Sequence, residues 1–300
     1  MRPAPRLRSL RCASAQGLHR IAYLEWGDPA NGRVLVCVHG LGRCARDFDA
    51  LAAALADSYR VVCPDMAGRG DSDWLRDPMS YGFPQYVSDV VTLIARLDVE
   101  SVHWVGTSMG GLIGMALAAL GDSPVTRLVL NDAGPVITRA SLERIAQYFG
   151  MAPVFPDFAA AERYVRTVSA PFGRHTDEEW RFLTEVAVRR NDDGSYRLHY
   201  DPGIAERFRA QMPEKDLELW ATYEAVRCPT LVLRGALSDL LTRETCERMA
   251  TCGPRASTIE VPEVGHAPTL LHADQIALVR EFLLSDAPWP AAQTTAATPA

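Results

Sequence analysis

Ser108 stands between two glycines in Gly106-Thr107-Ser108-Met109-Gly110-Gly111. Before it lies an apolar, β-branched stretch, Val102, Trp104 and Val105; after it runs an apolar, helix-favouring segment to Leu120. The pattern predicts a strand, a sharp turn and a helix. Such a turn strains its central residue and pushes that side chain out at the end of the sheet, while flanking glycines let strand and helix pack closely. At a helix N-terminus, free N–H groups and the positive dipole end favour developing negative charge. A serine there is either a nucleophile or a simple N-cap. A nucleophile needs a base, and the base needs a group to orient it. His266 supplies the first, in Val264-Gly265-His266-Ala267-Pro268. Asp239 is the expected orienter, in Ser238-Asp239, with Asp132 in Asn131-Asp132-Ala133-Gly134 as the alternative acid.

The predicted elements place these residues together. Strands are expected at 20–26, 34–38, 60–63, 102–105, 125–130, 230–233 and 257–261. Helices are expected at 45–56, 86–97, 112–120, 243–251 and 273–284. Alternating strands and helices imply a parallel sheet covered on both faces. Ligands of such sheets bind at the carboxyl ends of the strands. His39, Asp65, Ser108 and Asp132 fall at those ends, and Asp239 and His266 follow the last two strands. From Pro135 to Val226 the alternation breaks into a mostly helical stretch, with helices expected at 141–149, 159–168, 177–188, 204–211 and 217–225. A long insertion between two strands suggests a lid. The expected organisation is a core of 1–134 and 227–287, a helical cap of 135–226, and a disordered Pro/Ala/Thr-rich tail of 288–300.

Composition narrows the class. The 300 residues are 48% hydrophobic and 23% charged, ordinary for a globular protein with a sizeable core. A net charge of −6 implies no general affinity for nucleic acid. No apolar run approaches the roughly 20 residues that span a bilayer. Seven cysteines, scattered and without a C-x-x-C, read as reduced thiols of a cytoplasmic chain rather than a disulfide or zinc framework. Arg2, Arg6, Arg8 and Arg11 read as a frayed basic tail.

Six pieces in order, spanning about Arg20 to Leu284, resemble the α/β-hydrolase fold superfamily. They are His39-Gly40-Leu41-Gly42, Asp65 to Ser72, Gly106 to Gly110, the helical insertion, Gly235 to Asp239 and Gly265-His266. The resemblance implies a mostly parallel eight-stranded sheet flanked by helices, with the cap inserted after the sixth strand. It also implies a serine hydrolase. Ser108 would be the nucleophile, His266 the general base and Asp239 the acid that fixes the imidazole. The backbone N–H groups of Leu41 and Met109 would form the oxyanion hole. His39 and Gly40 would shape that loop and, with Arg43, are candidate substrate-binding residues, and no metal or organic cofactor would be required.

The expected substrate is a small to medium acyl or hydroxyacyl ester, cleaved through an acyl-enzyme. A carboxylate-reading Arg43 would instead favour a carbon–carbon bond hydrolase or enol-lactonase; the competing reading is an Arg43–Asp47 ion pair. A slow-turnover ligand receptor of the same fold is the third reading. Cap aromatics, Phe149, Phe155, Phe158, Tyr164, Phe172, Trp180 and Trp220, are candidates for an apolar acyl pocket.

Overall fold

The computed structural model describes residues 4–285. The expected tail, 288–300, and Arg2 lie outside the described residues. The first half lays down strands β1 (Arg6–Ser14), β2 (Gly17–Trp26), β3 (Val34–Val38), β4 (Arg60–Pro64), β5 (Val102–Thr107) and β6 (Val125–Asn131). Helices α1 (Asp49–Leu55), α2 (Phe83–Leu97) and α3 (Met109–Ala118) connect them. A short 3-10 turn, Ala45–Phe48, precedes α1 where one continuous helix was expected.

The next segment, between β6 and the following strand of the main sheet, contains β7 (Val136–Ile137), α4 (Arg139–Tyr148), β8 (Val154–Phe155), α5 (Phe158–Val168) and α6 (Asp177–Ala187). It continues through β9 (Val188–Arg190), β10 (Tyr196–Leu198), α7 (Ile204–Ala210), β11 (Leu217–Glu218) and α8 (Trp220–Ala225). The five helices match the expectation. The small sheets β8-β10-β9 and β11-β7 were not expected. The acidic Asn191 to Ser195 stretch is the hairpin turn between β9 and β10, closed by Asn191 N donating to Ser195 O. The chain then returns to the main sheet with β12 (Thr230–Gly235), α9 (Arg243–Met249), β13 (Ser257–Val261) and α10 (Ala273–Leu284).

The eight-stranded sheet runs β1-β2-β4-β3-β5-β6-β12-β13. β2 runs antiparallel to both its neighbours, β1 and β4, and every other pair is parallel. Buried strands with helices on both faces need apolar residues at every position, with successive side chains pointing opposite ways. In β3, Val34, Val36 and Val38 join the core on the side of α2 and α3. Leu35 and Cys37 join the core on the side of α1 and α10. The same division separates Trp104 from Val105, Leu128 and Leu130 from Val129, and Val232 from Leu231 and Leu233. Each such side chain contributes about 1.5–3 kcal/mol by leaving water, so the register of the central strands is firmly set.

The basic N-terminal stretch is not a frayed tail. From Arg6 onward it is β1, paired with β2 over its whole length. The reason is Glu25 on β2, buried to 2% exposure, which collects Arg6, Arg8 and Arg60 at 3.7, 3.3 and 3.0 Å. A buried carboxylate needs such partners.

Candidate active site

Ser108 sits at the β5–α3 junction with φ 51° and ψ −114°, a left-handed backbone that costs a non-glycine residue on the order of 1–3 kcal/mol. Two glycines hold it there. A Cβ on Gly106 would lie 2.2 Å from Gly110 O, and one on Gly110 would lie 1.9 Å from Val38 O. No side chain fits either place. The turn therefore packs α3 directly on β5 and β3 and holds Ser108 at the carboxyl end of the sheet.

The imidazole of His266 reaches Ser108 Oγ with Nε2 at 2.9 Å. Its Nδ1 lies 2.6 Å from Asp132 Oδ2. Asp132 is fully buried and also carries a left-handed backbone, φ 50°. Its N–H donates to Leu233 O at 2.7 Å, which anchors the end of β6 to β12. Its carboxylate accepts from Gly235 N at 2.9 Å and from Ser238 Oγ at 2.6 Å. A carboxylate held by three donors is preorganised to hold one imidazole tautomer and to stabilise the imidazolium.

The structure brings Asp132, not Asp239, to His266. The carboxylate of Asp239 is 54% exposed and is held by Arg144 of α4, Nε at 2.7 Å and Nη2 at 2.9 Å. After β12 the chain turns so that Ser238, rather than Asp239, faces inward onto Asp132. The expected choice of acid is thereby corrected to the alternative.

The loop after β3 completes the site. A Cβ on Gly40 would meet Ser108 Cβ at 3.8 Å, so this backbone passes directly beside the serine. His39 is fully buried; its Nε2 accepts the Met66 N–H at 3.0 Å and its Nδ1 donates to Gly40 O at 2.8 Å. Burial pulls this imidazole down to about 4, so it stays neutral in the tautomer that this pair of bonds requires. His39 shapes the loop and does not face the serine's reacting side. Asp65 fixes the same region by accepting from Ala45 N and Asp71 N.

Arg69 is placed where its sequence context did not indicate. It is fully buried, and its Nε donates to Leu41 O at 2.9 Å. Nη1 donates to Ala67 O and Tyr86 Oη, and Nη2 approaches Met109 Sδ at 3.5 Å. The guanidinium lies 5.0 Å from the Tyr86 ring centroid and 5.9 Å from that of Tyr81. It thus ties together the two residues expected to supply the oxyanion donors. The only signal in the sequence was its place in a glycine-rich turn.

Arg43 is not a free carboxylate receptor. It forms a bidentate bond with Asp47, Nη2 at 2.7 Å and Nε at 2.9 Å, with side chains only 14% and 19% exposed. Burial opposes its charge, and Asp47 more than offsets that. The competing reading of Arg43 therefore describes it, and the carbon–carbon hydrolase reading loses the feature that motivated it. Cys44 beside it is buried, with its thiol well above the usual range because of burial. That suits packing rather than reaction.

Two cavities meet at Ser108. One, about 170 Å³, is lined by Gly40, Leu41, Tyr148, Phe149, Phe172 and Tyr200. The other, about 330 Å³, is lined by Met109, Leu112, Ile145, Phe208, Met212 and Leu240. Of the cap aromatics expected to line a pocket, Phe149, Tyr164 and Phe172 do so. Phe155 and Trp180 are buried packing residues instead. A serine between two mainly apolar cavities suits a substrate with a chain on each side of the bond that breaks.

Residues 33–273 match the family model of the alpha/beta hydrolase fold. The chain is 54% identical, over 94% of its length and 99% of the relative's, to the 3-hydroxybutyrate-oligomer hydrolase of Cupriavidus necator. Among solved structures, a putative hydrolase from Rickettsia typhi superposes with a TM-score of 0.87 at 32% identity, covering 93% of this chain and 98% of that one. An alpha/beta hydrolase from Novosphingobium aromaticivorans gives 0.84 at 34% identity, covering 94% and 98%. With the eight-stranded sheet and the Ser108 turn already in place, these likenesses mean that the chain belongs to the alpha/beta hydrolase fold family and is a hydrolase.

Proposed function

We propose that this enzyme hydrolyses carboxylic esters of short 3-hydroxy acids, 3-hydroxybutyrate oligomers in particular, through an acyl-enzyme on Ser108. The observation that carries the reading is the hydrogen-bonded line Ser108–His266–Asp132 at the meeting of two cavities. An oligoester presents a chain on both the acyl and the alcohol side of each bond, which suits that arrangement. The 54% identity to an oligomer hydrolase supports the same substrate class.

In this mechanism Ser108 Oγ attacks the ester carbonyl while His266 Nε2 takes its proton. The backbone N–H groups of Leu41 and Met109 receive the oxyanion; each such donor is worth about 3 kcal/mol in the transition state. His266 then protonates the departing hydroxyl. Water then attacks the acyl carbon and loses a proton to His266, which passes it to Ser108 Oγ as the bond to the serine breaks and the acid leaves. Asp132 holds the imidazole throughout. Residues 135–226 act as a cap over the 1–134 and 227–287 core and set the length of chain accepted. Seven free thiols suit a reducing compartment, and we place the enzyme in the cytoplasm.

The test is turnover of 3-hydroxybutyrate dimer and trimer beside p-nitrophenyl esters from acetate to palmitate, with wild type and Ser108→Ala. The reading requires oligomer cleavage, loss of all turnover in the variant, and a single fluorophosphonate adduct on Ser108. Labelling of Ser108 without oligomer cleavage would keep the nucleophile and discard the substrate.

A further inference from the structure

Away from the serine, His175, Glu179 and His272 converge from two parts of the chain. His175 immediately precedes the N-cap of α6, Glu179 lies in its first turn, and His272 is the N-cap residue of α10. His175 Nδ1 and His272 Nε2 are 3.0 Å apart. The Glu179 carboxylate straddles the pair, with Oε2 at 3.6 Å from His175 Nδ1 and Oε1 at 3.4 Å from His272 Nε2. Bonds of about 2.0–2.1 Å from a tetrahedral zinc-type ion place its ligand atoms roughly 3.3–3.4 Å from one another. The two carboxylate distances run to different oxygens; with one ligand atom from each residue, the three lie within 4.8 Å of one another, so a small shift of Glu179 and a slight parting of the rings bring them to that spacing.

We propose that His175 Nδ1, His272 Nε2 and a Glu179 carboxylate oxygen bind a zinc-type divalent metal ion, which staples the helical segment to the loop that carries His266. Two imidazoles and one carboxylate are donors that suit zinc, cobalt or nickel rather than calcium or magnesium. Glu179 and His272, 31% and 30% exposed, form the open side from which water would take the fourth position. The carboxylate is already oriented, because Glu179 Oε2 accepts from Thr176 N at 2.8 Å in a capping box.

The position gives the ion its consequence. The same two stretches already touch at Gly265, whose N–H donates to Pro171 O at 2.7 Å. His272 lies six residues beyond His266. A metal bond between His175 and His272 adds a second tie across this seam, so the helical segment and the His266 loop are held at both ends.

The test uses tag-free, chelator-treated full-length protein titrated with Zn2+ by calorimetry and with Co2+ by visible absorption. The expected result is one equivalent bound, the intense absorption of four-coordinate Co2+, and a Tm that rises by several degrees at a large excess over Kd. His272→Gln and His175→Gln each weaken binding by more than about 10-fold, the scale seen for lesser changes around metal sites. Both retain the metal-free Tm of the wild type within a few degrees, which separates loss of a ligand from loss of the fold. No binding by the wild type, or binding that survives both substitutions, would overturn the proposal.

Discussion

Asp132 Oδ2 lies 2.6 Å from His266 Nδ1, whereas the carboxylate of Asp239, the acid expected from the sequence, is taken up by Arg144. The two aspartates therefore make opposite predictions. Asp132→Asn would present an amide N–H to Nδ1 and reverse the imidazole tautomer. The expected loss in kcat is about 10⁴-fold, the cost of the wrong tautomer in serine–histidine–aspartate enzymes. Asp239→Asn should leave kcat on a neutral p-nitrophenyl ester within roughly twofold, since it breaks only a half-exposed ion pair. Steady-state kinetics on both variants decides the point; a large loss in the Asp239 variant would return the role to it.

Arg69 makes a second prediction. It is fully buried and reaches both the Leu41 carbonyl and Met109 Sδ. On the proposed mechanism it would act by positioning the two backbone N–H donors. Arg69→Met keeps much of the volume and removes the bonds. The expected result is a fall in kcat of about 10-fold to 100-fold, less than the loss of a whole oxyanion donor, with KM nearly unchanged. A change in KM alone would mean that Arg69 shapes the cavity and not the donors. Melting curves on the same samples control for the general cost of emptying a buried site.

The fold was largely legible because its signals are local. A short, β-branched apolar run such as Val34 to Val38 suits a strand covered on both faces, and the glycines around Ser108 allow the close turn. What escaped depends on contacts distant in the chain. The N-terminal arginines look like a loose basic tail until Glu25 supplies a buried counter-charge. The choice between Asp132 and Asp239 turns on which way two strand-end loops face. Asp132 N bonding to Leu233 O, and Ser238 rather than Asp239 pointing inward, settle it, and neither leaves a mark in the sequence. Arg69 carries a buried charge among aromatic rings and carbonyls, a placement that no pattern of residue types announces.

Arg144 offers a way to test substrate class. It lines the smaller cavity, and its ion pair with Asp239 is half-exposed, 38% and 54%. Exposed pairs are worth about 0–1 kcal/mol, so a substrate carboxylate can exchange for Asp239 at little cost. The buried Arg43–Asp47 pair has no such freedom. On the oligoester reading, Arg144→Ala should raise KM several-fold for an oligomer with a free terminal carboxylate and leave the neutral methyl ester of the same oligomer unaffected. Asp239→Asn should shift KM the other way for the carboxylated oligomer. Equal effects on charged and neutral oligomers would remove Arg144 from recognition.

His39 predicts how stability depends on pH. Its folded-state value is lowered to about 4 from an ordinary 6.5 because burial penalises the charged imidazole. Between these values the unfolded chain binds a proton that the folded chain refuses, so unfolding free energy rises with pH across that window. The contribution is fully present above about pH 6.5 and is lost as pH falls towards 4, with a magnitude on the order of 3 kcal/mol. His39→Gln should be less stable than the wild type at pH 7, where its buried bonds are broken, yet show a flatter fall from pH 6.5 to 4. His103, also lowered to about 4 by burial, remains in the variant with a contribution of the same sign, and Asp65, raised to about 7 by burial, remains with one of opposite sign, so the difference between the two proteins' curves isolates His39. Urea unfolding at several pH values measures both curves, and parallel slopes would mean that His39 is not the group that titrates.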